Sequence, residues 1–421
     1  MVDSICIFED LHYTRLLPLV YFRPQYDLRC GILTLREKII KQFPGFSLSL
    51  HCRSYLHDTL KQQNPNIEIN KIKGYNCLFI NGRVIADENF KKQINLDGID
   101  KLYVKGDYII AAKVSGDKLD LLKHHLPDLF TYSDFQELVK EEIDVKVINY
   151  PWDLINANGK EIISDFNLII KDTDGNNIKG KIYEGAYLIN KGNIYLGEGA
   201  KIKPGTVLDA ENGPIYIGNN AEIYPNATIE GPAYIGADSK IKIGAKIYED
   251  TSIGPVCKVG GEVEASIIHS YSNKQHDGFL GHSYLGMWVN LGADTNNSDL
   301  KNNYGNVKVT INGEQVDTGS MFVGLTIGDH SKSAINTMFN TGTVVGVSSN
   351  IYGGGFPSKY IPSFSWGGAD SLTSYDLERS IEVAKRVMQR RKIEMSNSEE
   401  SLFRKVFYLT KEERIKRGMQ N

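Results

Sequence analysis

Every sixth residue from Ile217 to Val259 is a branched aliphatic, without a miss over eight positions. Ile217, Ile235 and Ile253 are each followed by glycine, so a period of 18 residues is laid over the period of six. A coil of three six-residue sides explains both periods, because each side is a short strand with one aliphatic side chain pointing inward and glycine forms a corner. The sequence therefore predicts a parallel β-solenoid of stacked coils.

The same register appears on both sides of this run. It is present as Leu196-Gly197 before the run and as Leu285-Gly286 and Ile327-Gly328 after it. The predicted solenoid therefore covers residues 185–360, which allows on the order of eight coils, each rising ~4.8 Å. This period indicates the architecture and leaves the chemistry open, since one fold supports many functions.

The region before the solenoid has a different pattern. Four apolar runs predict strands, and helical stretches lie between them: the strands at 4–8, 47–50, 77–80 and 145–148, the helices at 31–42 and 117–124. This alternation is typical of an α/β, Rossmann-like domain with a mainly parallel sheet. We place that domain at residues 1–150, with a bridging segment at 151–184.

Residues 361–421 predict a C-terminal helical tail with one apolar stripe at helical spacing, formed by Leu377, Ile381, Ala384 and Met388. The tail also carries a cluster of cations: Lys385, Arg386, Arg390, Arg391 and Lys392. These cations form either a solvated face or an edge that contacts phosphate.

Composition excludes several classes of function. A net charge of −3 and a pI near 6.3 provide no electrostatic reason to expect nucleic acid or an acidic membrane as partner. The five cysteines are scattered without a C-x-x-C pair, which fits a reducing cytosol. The first ten residues are acidic rather than basic, and no apolar run approaches 18 residues. We therefore predict a cytoplasmic protein.

The loop after the first predicted strand is rich in arginine, and open α/β sheets bind ligands beyond the carboxyl ends of their strands. Its stretch Thr14-Arg-Leu-x-Pro-Leu19 resembles the T-R-L-x-P-L of sugar-1-phosphate nucleotidylyltransferases, which follows a glycine-rich turn. The two glycines of that turn fall at Leu11 and Tyr13, and the lysine expected after the proline falls at Gln25.

Other cations would then have to bind the triphosphate of UTP or another nucleoside triphosphate. We expect bidentate contacts to its oxygens from four side chains: Arg15, Arg23, Arg29 and Lys38.

The stretch 78–83 resembles the strand of the same enzymes that ends in N-G-D, whose aspartate holds Mg²⁺. Here Arg83 occupies the aspartate position, and a cation cannot ligate a cation. Another carboxylate would hold the metal, namely Glu9, Asp10 or Asp153. Asn81 and Arg83 would contact the substrate.

The bridging segment begins with Pro151-Trp-Asp-Leu154, which resembles the P-W-D-L that joins the two domains of two-domain sugar-nucleotide enzymes. The alternative is that Trp152 is simply core at a domain junction.

Uncommon polar residues of the solenoid concentrate where the six-residue period breaks, which is where a site is expected on a regular scaffold. There, Tyr284-Leu-Gly286 and Asn290-Leu-Gly-Ala293 resemble the bifunctional uridylyltransferase/acetyltransferases that make UDP-N-acetylglucosamine. The six-residue period itself is that of the hexapeptide-repeat acyltransferases. This resemblance implies a left-handed parallel β-helix and a homotrimer.

The catalytic base of that family is a histidine, and the alignment places Gly281 at its position and His282 one residue later. We predict His282 as the base, with a bulge or corner beside Gly281 turning its side chain toward the cleft. His276 is the substitute, and Lys274 would contact phosphate or carbohydrate.

Three further residues of this region would orient the substrate: Tyr284, Asn290 and Asp299. The loop from Asn296 to Ser320 would reach across to a neighbouring subunit, since long excursions from a regular fold are usually functional.

The resemblance implies two activities. The N-terminal domain would couple a sugar 1-phosphate to a nucleoside triphosphate with Mg²⁺, and the solenoid would acetylate an amino sugar from acetyl-CoA.

Two alternatives remain open at this point. Arg83 and the missing glycines also fit an N-terminal domain that has lost catalysis and serves as a sugar-nucleotide sensor or assembly module. A zinc enzyme of the γ-carbonic anhydrase kind would use His269, His276 and His282 as ligands.

Overall fold

The computed structural model describes residues 2–171 and 175–419 and places an α/β domain, a β-solenoid and a helical tail in chain order. The α/β domain contains seven strands: β1 (Ser4–Phe8), β2 (Ser47–Leu50), β3 (Glu68–Ile69), β4 (Asn76–Asn81), β5 (Lys101–Lys105), β6 (Tyr108–Ser115) and β7 (Val139–Glu142). Its helices are α1 (Leu35–Gln42), α2 (His57–Gln63), α3 (Glu88–Gln93) and α4 (Gly116–His124).

The strand order is β3-β2-β1-β4-β6-β5-β7. The sheet is mainly parallel, as predicted, but β6 runs antiparallel between β4 and β5. The predicted strand at 145–148 is wrong, because this segment forms only an isolated bridge between Val84 and Val147. β1 and the last five residues of β4 are buried, as expected of central strands covered on both faces.

Helix α5 (Pro151–Ile170) connects the α/β domain to the solenoid. Pro151 occupies its first turn, where the missing N–H costs nothing, and Asp153 accepts the N–H groups of Asn149 and Tyr150. Residues 172–174 of the predicted bridging segment lie outside the described residues.

The solenoid has three sides, and its first side is a sheet of nine parallel strands. These are Ile194–Leu196, Ile215–Ile217, Ala233–Ile235, Thr251–Ile253, Ile267–Ser270, Tyr284–Met287, Thr326–Ile327, Val344–Val345 and Tyr360–Ile361.

The second side consists of Lys181–Ile182, Lys201–Ile202, Glu222–Ile223, Lys240–Ile241, Lys258–Val259 and Asn273–Lys274. It continues as Lys332–Ser333, Asn350–Ile351 and Ser365–Gly367, to which Leu372–Ser374 adds an antiparallel strand. The third side consists of Tyr187–Ile189, Val207–Asp209, Thr228–Glu230, Lys246–Ile247, Glu262–Glu264 and Phe279–Gly281, followed by Asn296–Asn297 and Met338–Phe339.

All eight aliphatic residues of the repeat, from Ile217 to Val259, are buried in the solenoid core, as predicted. The prediction that glycine is needed at the corner is confirmed for space but not for φ at Gly218, Gly236 and Gly254, none of which has a positive φ. Non-glycine residues two positions later, such as Asn220 and Asp238, adopt the positive φ at the corner. Gly218 is required for space, because a Cβ there would lie 2.7 Å from the backbone nitrogen of Ala237 in the next coil.

The α/β domain and α5 cover the first side of the solenoid. Asn158 of α5 donates to the carbonyl of Asp250, and Ser252 donates to the carbonyl of Gly31. The tail helices α6 (Leu377–Gln389), α7 (Asn397–Leu409) and α8 (Lys411–Lys416) pack over the same junction, with Ile381 and Phe403 in its core.

The loop predicted to reach a neighbouring subunit packs on its own chain, and its contact with a second subunit stays a prediction. It contains a hairpin of Lys308–Ile311 and Glu314–Asp317, whose buried Val309 lies in one apolar cluster with Trp152. Trp152 is thus core at the domain junction. In the described part of the chain, no helix combines the length and apolarity that crossing a bilayer requires.

Candidate functional site

The carboxyl ends of β1 and β4, where the sequence predicts a nucleotide site, carry two buried ion pairs. In the first, the guanidinium of Arg53 donates from Nε and Nη2 to the Glu9 carboxylate, each over 3.1 Å. Glu9 also accepts the N–H groups of Gln25 and Arg53 at 3.0 Å. Its four contacts leave no oxygen of this carboxylate for a metal.

The second pair joins Asp10 to Arg83. Nε and Nη2 of Arg83 donate to the two carboxylate oxygens at 3.0 and 2.6 Å, and Asn81 donates to one of them at 2.9 Å. Burial alone would raise the pKa of Asp10, but the hydrogen bond with His12 and the charge of Arg83 hold it well below its usual range. The arginine at the N-G-D position therefore neutralises a buried carboxylate.

These residues do not fit Mg²⁺. Asp10 is occupied by Arg83, and Asp153 accepts two backbone N–H groups at the start of α5. Among the residues that the structure describes, no group of three or more His, Cys, Asp or Glu side chains is placed to hold a metal ion. The predicted ligands Asp10 and Asp153 are thus not brought together as a metal site.

Three of the four predicted triphosphate contacts are occupied elsewhere. Lys38 lies buried between Glu161 and Asp165, at 2.9 and 2.6 Å. Arg23 pairs with Asp329 of the solenoid through Nη1 at 3.0 Å.

The backbone N–H of Arg29 donates to the hydroxyl of Tyr284 over 2.9 Å, and the Arg29 guanidinium lies over the ring of Tyr234. Arg23, Arg29 and Tyr284 thus join the α/β domain to the first side of the solenoid. Among the described residues, the buried Tyr284 hydroxyl accepts this bond and donates to the Arg29 carbonyl, and it makes no other hydrogen bond.

Arg15 is the predicted phosphate contact that remains half-buried. Its Nη1 donates to the hydroxyl of Tyr108 at 2.9 Å, and its guanidinium lies 5.8 and 5.7 Å from the ring centres of Tyr108 and Tyr150. No carboxylate pairs with it in the described part of the chain.

The corner between the third and first sides carries a histidine–aspartate pair. We call it the histidine corner; its positive-φ residues in successive coils are Asp250, Ala265 and His282. Nδ1 of His282 lies 2.8 Å from Oδ2 of Asp299. A carboxylate only accepts, so Nδ1 carries the proton and Nε2 of the neutral ring is left as an acceptor. This is the arrangement of an oriented general base.

Two neighbours shape this pair. The ring of Phe322, which follows the loop that contains Asp299, stacks on His282 with 5.0 Å between ring centres. A Cβ at Gly281 would lie 2.3 Å from the Asp299 carboxylate. A histidine at 281 would therefore displace Asp299, whereas the corner at 282 directs its ring onto that residue.

The other predicted residues of the solenoid lie apart from this corner. Lys274 occupies an inward position of the second side, and its ammonium donates to the carbonyls of Gly260 and His276. Burial lowers the Lys274 pKa to about 8. His276 is exposed, and Asn290 accepts from Asn273 at 3.4 Å. Lys274 is therefore not placed as a phosphate contact.

The zinc alternative is not supported. His269 is buried and contacts the carbonyl of Asp27 at 2.9 Å, His282 is held by Asp299, and His276 is exposed. Over residues 2–171 and 175–419 these three imidazoles form no metal-binding group.

A cavity of about 270 Å³ lies where the α/β domain, the solenoid and the tail meet. Its lining includes Arg36, His269, His330 and Phe403. Burial lowers the pKa of both histidines well below their usual range. Sequence reasoning missed this cavity, and it also missed Arg53 and Phe322, because their partners lie far away in the chain or on irregular segments.

Known proteins resemble both the α/β domain and the chain as a whole. Residues 5–174 match a family model described as sugar nucleotidyl transferase. A bifunctional sugar-1-phosphate nucleotidylyltransferase/acetyltransferase of Sulfurisphaera tokodaii is 25% identical, over a match that covers 80% of this chain and 88% of that protein.

Two further relatives are each named bifunctional protein GlmU. The one from Methanococcus aeolicus is 29% identical over 60% of this chain and 52% of its own length. The one from Acidithiobacillus ferrooxidans is 37% identical over 25% of this chain and 22% of its own length. Among solved structures, a UDP-N-acetylglucosamine acyltransferase of Francisella novicida is 13% identical over 56% of this chain and 78% of that one, with a TM-score of 0.28.

Proposed function

We propose that this chain is a transferase of sugar-nucleotide synthesis. The premise is that it belongs to a divergent branch of the bifunctional sugar-1-phosphate nucleotidylyltransferase/acetyltransferase family. The α/β domain joins a sugar 1-phosphate to a nucleoside triphosphate, with UTP as the expected donor. The solenoid transfers an acetyl group from acetyl-CoA to an amino sugar. The observation that carries this proposal is the His282–Asp299 pair.

In the acyl transfer, Nε2 of His282 takes a proton from the substrate amine as the nitrogen attacks the thioester carbonyl carbon. A carbon–nitrogen bond forms, the carbon–sulfur bond breaks, and the departing thiolate receives the proton. Asp299 holds the ring in the required tautomer and stabilises the imidazolium that forms. The stacked Phe322 ring fixes the plane of the imidazole.

In the nucleotidyl transfer, an oxygen of the sugar phosphate attacks the α-phosphorus and pyrophosphate leaves. Arg15 is the cation that supports this step, since its guanidinium is half-exposed beside Tyr108 and has no carboxylate partner among the described residues. The carboxylates of the strand edge do not fit Mg²⁺, so they contribute no metal ion to this step.

A second candidate function concerns the α/β domain alone. The pairs Glu9–Arg53 and Asp10–Arg83 fill the strand edge with compensated, buried charge. This favours an α/β domain that binds a sugar nucleotide or organises the assembly but catalyses no nucleotidyl transfer. In that case the solenoid would still transfer acetyl groups.

Two further parts of the proposal concern the setting of the reaction. A cytoplasmic location is supported by five buried cysteines, all free. A homotrimer is supported by two exposed isoleucines, Ile243 and Ile335, each 68% exposed at the corner between the second and third sides. Light scattering of the purified chain measures the assembly.

The test measures the two products separately. Purified protein receives glucosamine 1-phosphate with acetyl-CoA, and free thiol is recorded; it then receives N-acetylglucosamine 1-phosphate with UTP, and pyrophosphate is recorded. We expect both products. His282→Gln should remove thiol release only, and Arg15→Gln should remove pyrophosphate release only.

The outcomes separate the candidates. Thiol release without pyrophosphate release, combined with nucleotide binding in calorimetry, supports the second candidate. Absence of both products, with these substrates and with other sugar phosphates and nucleoside triphosphates, refutes the assignment.

A further inference from the structure

A second corner of the solenoid carries a cavity that is lined by none of the residues given a role in the proposed reactions. We call it the aromatic corner; it lies between the first and second sides, and its positive-φ residues Tyr271, Trp288 and His330 follow one another along the solenoid. A cavity of about 230 Å³ lies where the end of α6 meets this corner. Its polar lining includes Asn273, Asn290, Lys332, Arg390 and Arg391.

The cations of this cavity lack carboxylate partners in the part of the chain that the structure describes. Lys332 donates its ammonium to the carbonyl of His330 at 2.8 Å. Arg391 donates through Nη2 to Asn273 at 2.8 Å, while its buried Nε has no hydrogen-bond partner among the described residues. Positive charge therefore lines this cavity, and one arginine that lines it has a donor without a partner among the described residues.

The pKa values of the neighbouring lysines show that no acidic side chain among the described residues offsets this charge. Burial lowers the pKa of Lys332 to about 8. Burial also lowers the pKa of Lys258 on a neighbouring coil, and the charges of Arg391 and Lys240 lower it further. The carbonyl end of a helix attracts cations, which explains the two arginines that follow α6. It does not explain the two lysines, which lie on the solenoid.

An aromatic surface borders the same cavity. The rings of Tyr271 and Trp288 stack with 4.4 Å between centres, and both line the cavity. His330 covers the other face of Trp288, with 6.1 Å between ring centres. A planar base would therefore extend the stack from the Tyr271 side, while phosphate oxygens would accept from Lys332 and Arg391. Cations and a stacking surface together match a phosphorylated nucleotide better than an inorganic anion or an apolar ligand.

We infer that the cavity of the aromatic corner is a second ligand site, which binds the phosphate group of a nucleotide between Lys332 and Arg391 with its base against the Tyr271–Trp288 stack. The nucleotide portion of coenzyme A and that of a nucleoside diphosphate sugar share this chemistry. The site is separate from His282, which lies at the histidine corner. Binding here does not depend on either proposed reaction.

The test is calorimetric titration of the full chain with coenzyme A, 3′-dephospho-coenzyme A and UDP-N-acetylglucosamine. We expect at least one to bind, and its affinity to fall at least about tenfold in Lys332→Met and in Arg391→Gln, since each removes a charge-assisted contact. Matched controls are Lys246→Met and Arg386→Gln, whose side chains pair with Glu262 and Glu382. These two variants should bind as the parent does.

Several results would decide the inference. Loss of binding on removal of the 3′-phosphate identifies coenzyme A as the source, and tighter binding of the sugar nucleotide identifies the other source. If Arg391→Gln fails to fold, the exposed Arg390→Gln takes its place. The inference is overturned if none of the three ligands binds, or if Lys332→Met and Arg390→Gln bind as well as the parent. His282→Gln should retain binding even if both proposed reactions prove wrong.

Discussion

The strand edge of the α/β domain and the histidine corner of the solenoid both carry charged side chains suited to catalysis, but their surroundings differ. At the strand edge, Asp10 and Arg83 are buried and satisfy each other with two hydrogen bonds. At the histidine corner, the side chain of His282 is 20% exposed and Asp299 uses one nitrogen of its ring. At the strand edge the two charges neutralise each other, whereas at the histidine corner one ring nitrogen remains available as an acceptor for a substrate.

This difference shows that residue type alone does not identify a site. A buried ion pair in which every hydrogen-bonding group is satisfied contributes to a specific fold and has little capacity for chemistry. A partly exposed imidazole with one oriented nitrogen can exchange a proton with a bound substrate. The predictions that follow test whether the two regions differ in this way.

The largest effect is expected from His282→Gln. Loss of the general base should lower the rate of thiol release by about 10²- to 10⁴-fold, while pyrophosphate release stays at the parent rate. Thiol detection and a pyrophosphate-coupled assay measure the two rates. His124→Gln, an exposed histidine in α4, is the matched control. If His276→Gln lost thiol release and His282→Gln kept it, the histidine corner would not be the site.

A large effect on stability is expected from Arg83→Met. Removal of the cation leaves Asp10 buried without its partner, which should lower the free energy of unfolding by about 3–5 kcal/mol. Urea unfolding at pH 7 measures this change. The double variant Asp10→Asn with Arg83→Met should recover most of the loss, because no lone charge remains.

Acid should act on the same pair. The pKa of Asp10 is lowered in the folded chain, so its stabilising contribution is complete above the unfolded value of about 3.9 and is lost as pH falls below it.

A loss below about 1 kcal/mol in Arg83→Met would mean that water reaches the strand edge, and the contrast between the two regions would weaken.

An intermediate effect is expected from Lys274→Met, since this lysine is buried inside the solenoid without a carboxylate partner among the described residues. Its folded pKa of about 8 lies below the unfolded value of about 10.4. Between these values the unfolded chain binds the extra proton, so the stability of the parent should rise with pH there. At pH 7 the variant should be more stable by about 1–2 kcal/mol, with a smaller pH slope.

Chemical unfolding of the parent and of Lys274→Met at pH 7 and pH 9.5 measures both quantities. Lys246→Met on the third side, whose lysine is exposed, is the control and should leave the pH slope unchanged. A variant less stable than the parent at pH 7 would show that the two carbonyl contacts of Lys274 outweigh the burial of its charge.

The smallest effect is expected from Asp153→Ala. Loss of the two contacts to backbone N–H groups at the start of α5 should cost about 1 kcal/mol of stability. The Mg²⁺ dependence of pyrophosphate release should stay as in the parent. Thermal unfolding and the same assay check both, with the exposed Asp107→Ala as control. A higher Mg²⁺ requirement in Asp153→Ala alone would restore Asp153 as a metal ligand.

The candidate site at the histidine corner was partly predictable. His282 and Asp299 are separated by 17 residues, about one coil, so the period itself brings them together. What the sequence did not indicate is that Asp299 orients the histidine instead of the substrate, because this depends on the corner at 282 and on the space above Gly281.

The strand edge was not predictable in the same way. Arg83 and Asp10 are 73 residues apart, and Arg23 and Asp329 are 306 residues apart. An arginine in a loop after a strand suits a phosphate or a carboxylate equally well, since its guanidinium binds both in bidentate fashion. Only the folded chain distinguishes the two.

By itself, the sequence determined the solenoid and the order of the three regions, because burial of one aliphatic every six residues is a local, repeated requirement that few other folds satisfy. Only the tertiary structure decided which charged side chains form ion pairs that hold the domains together and which remain free to contact a substrate. Those pairings join distant segments, and their energies depend on burial and on the partner reached, neither of which a local pattern records.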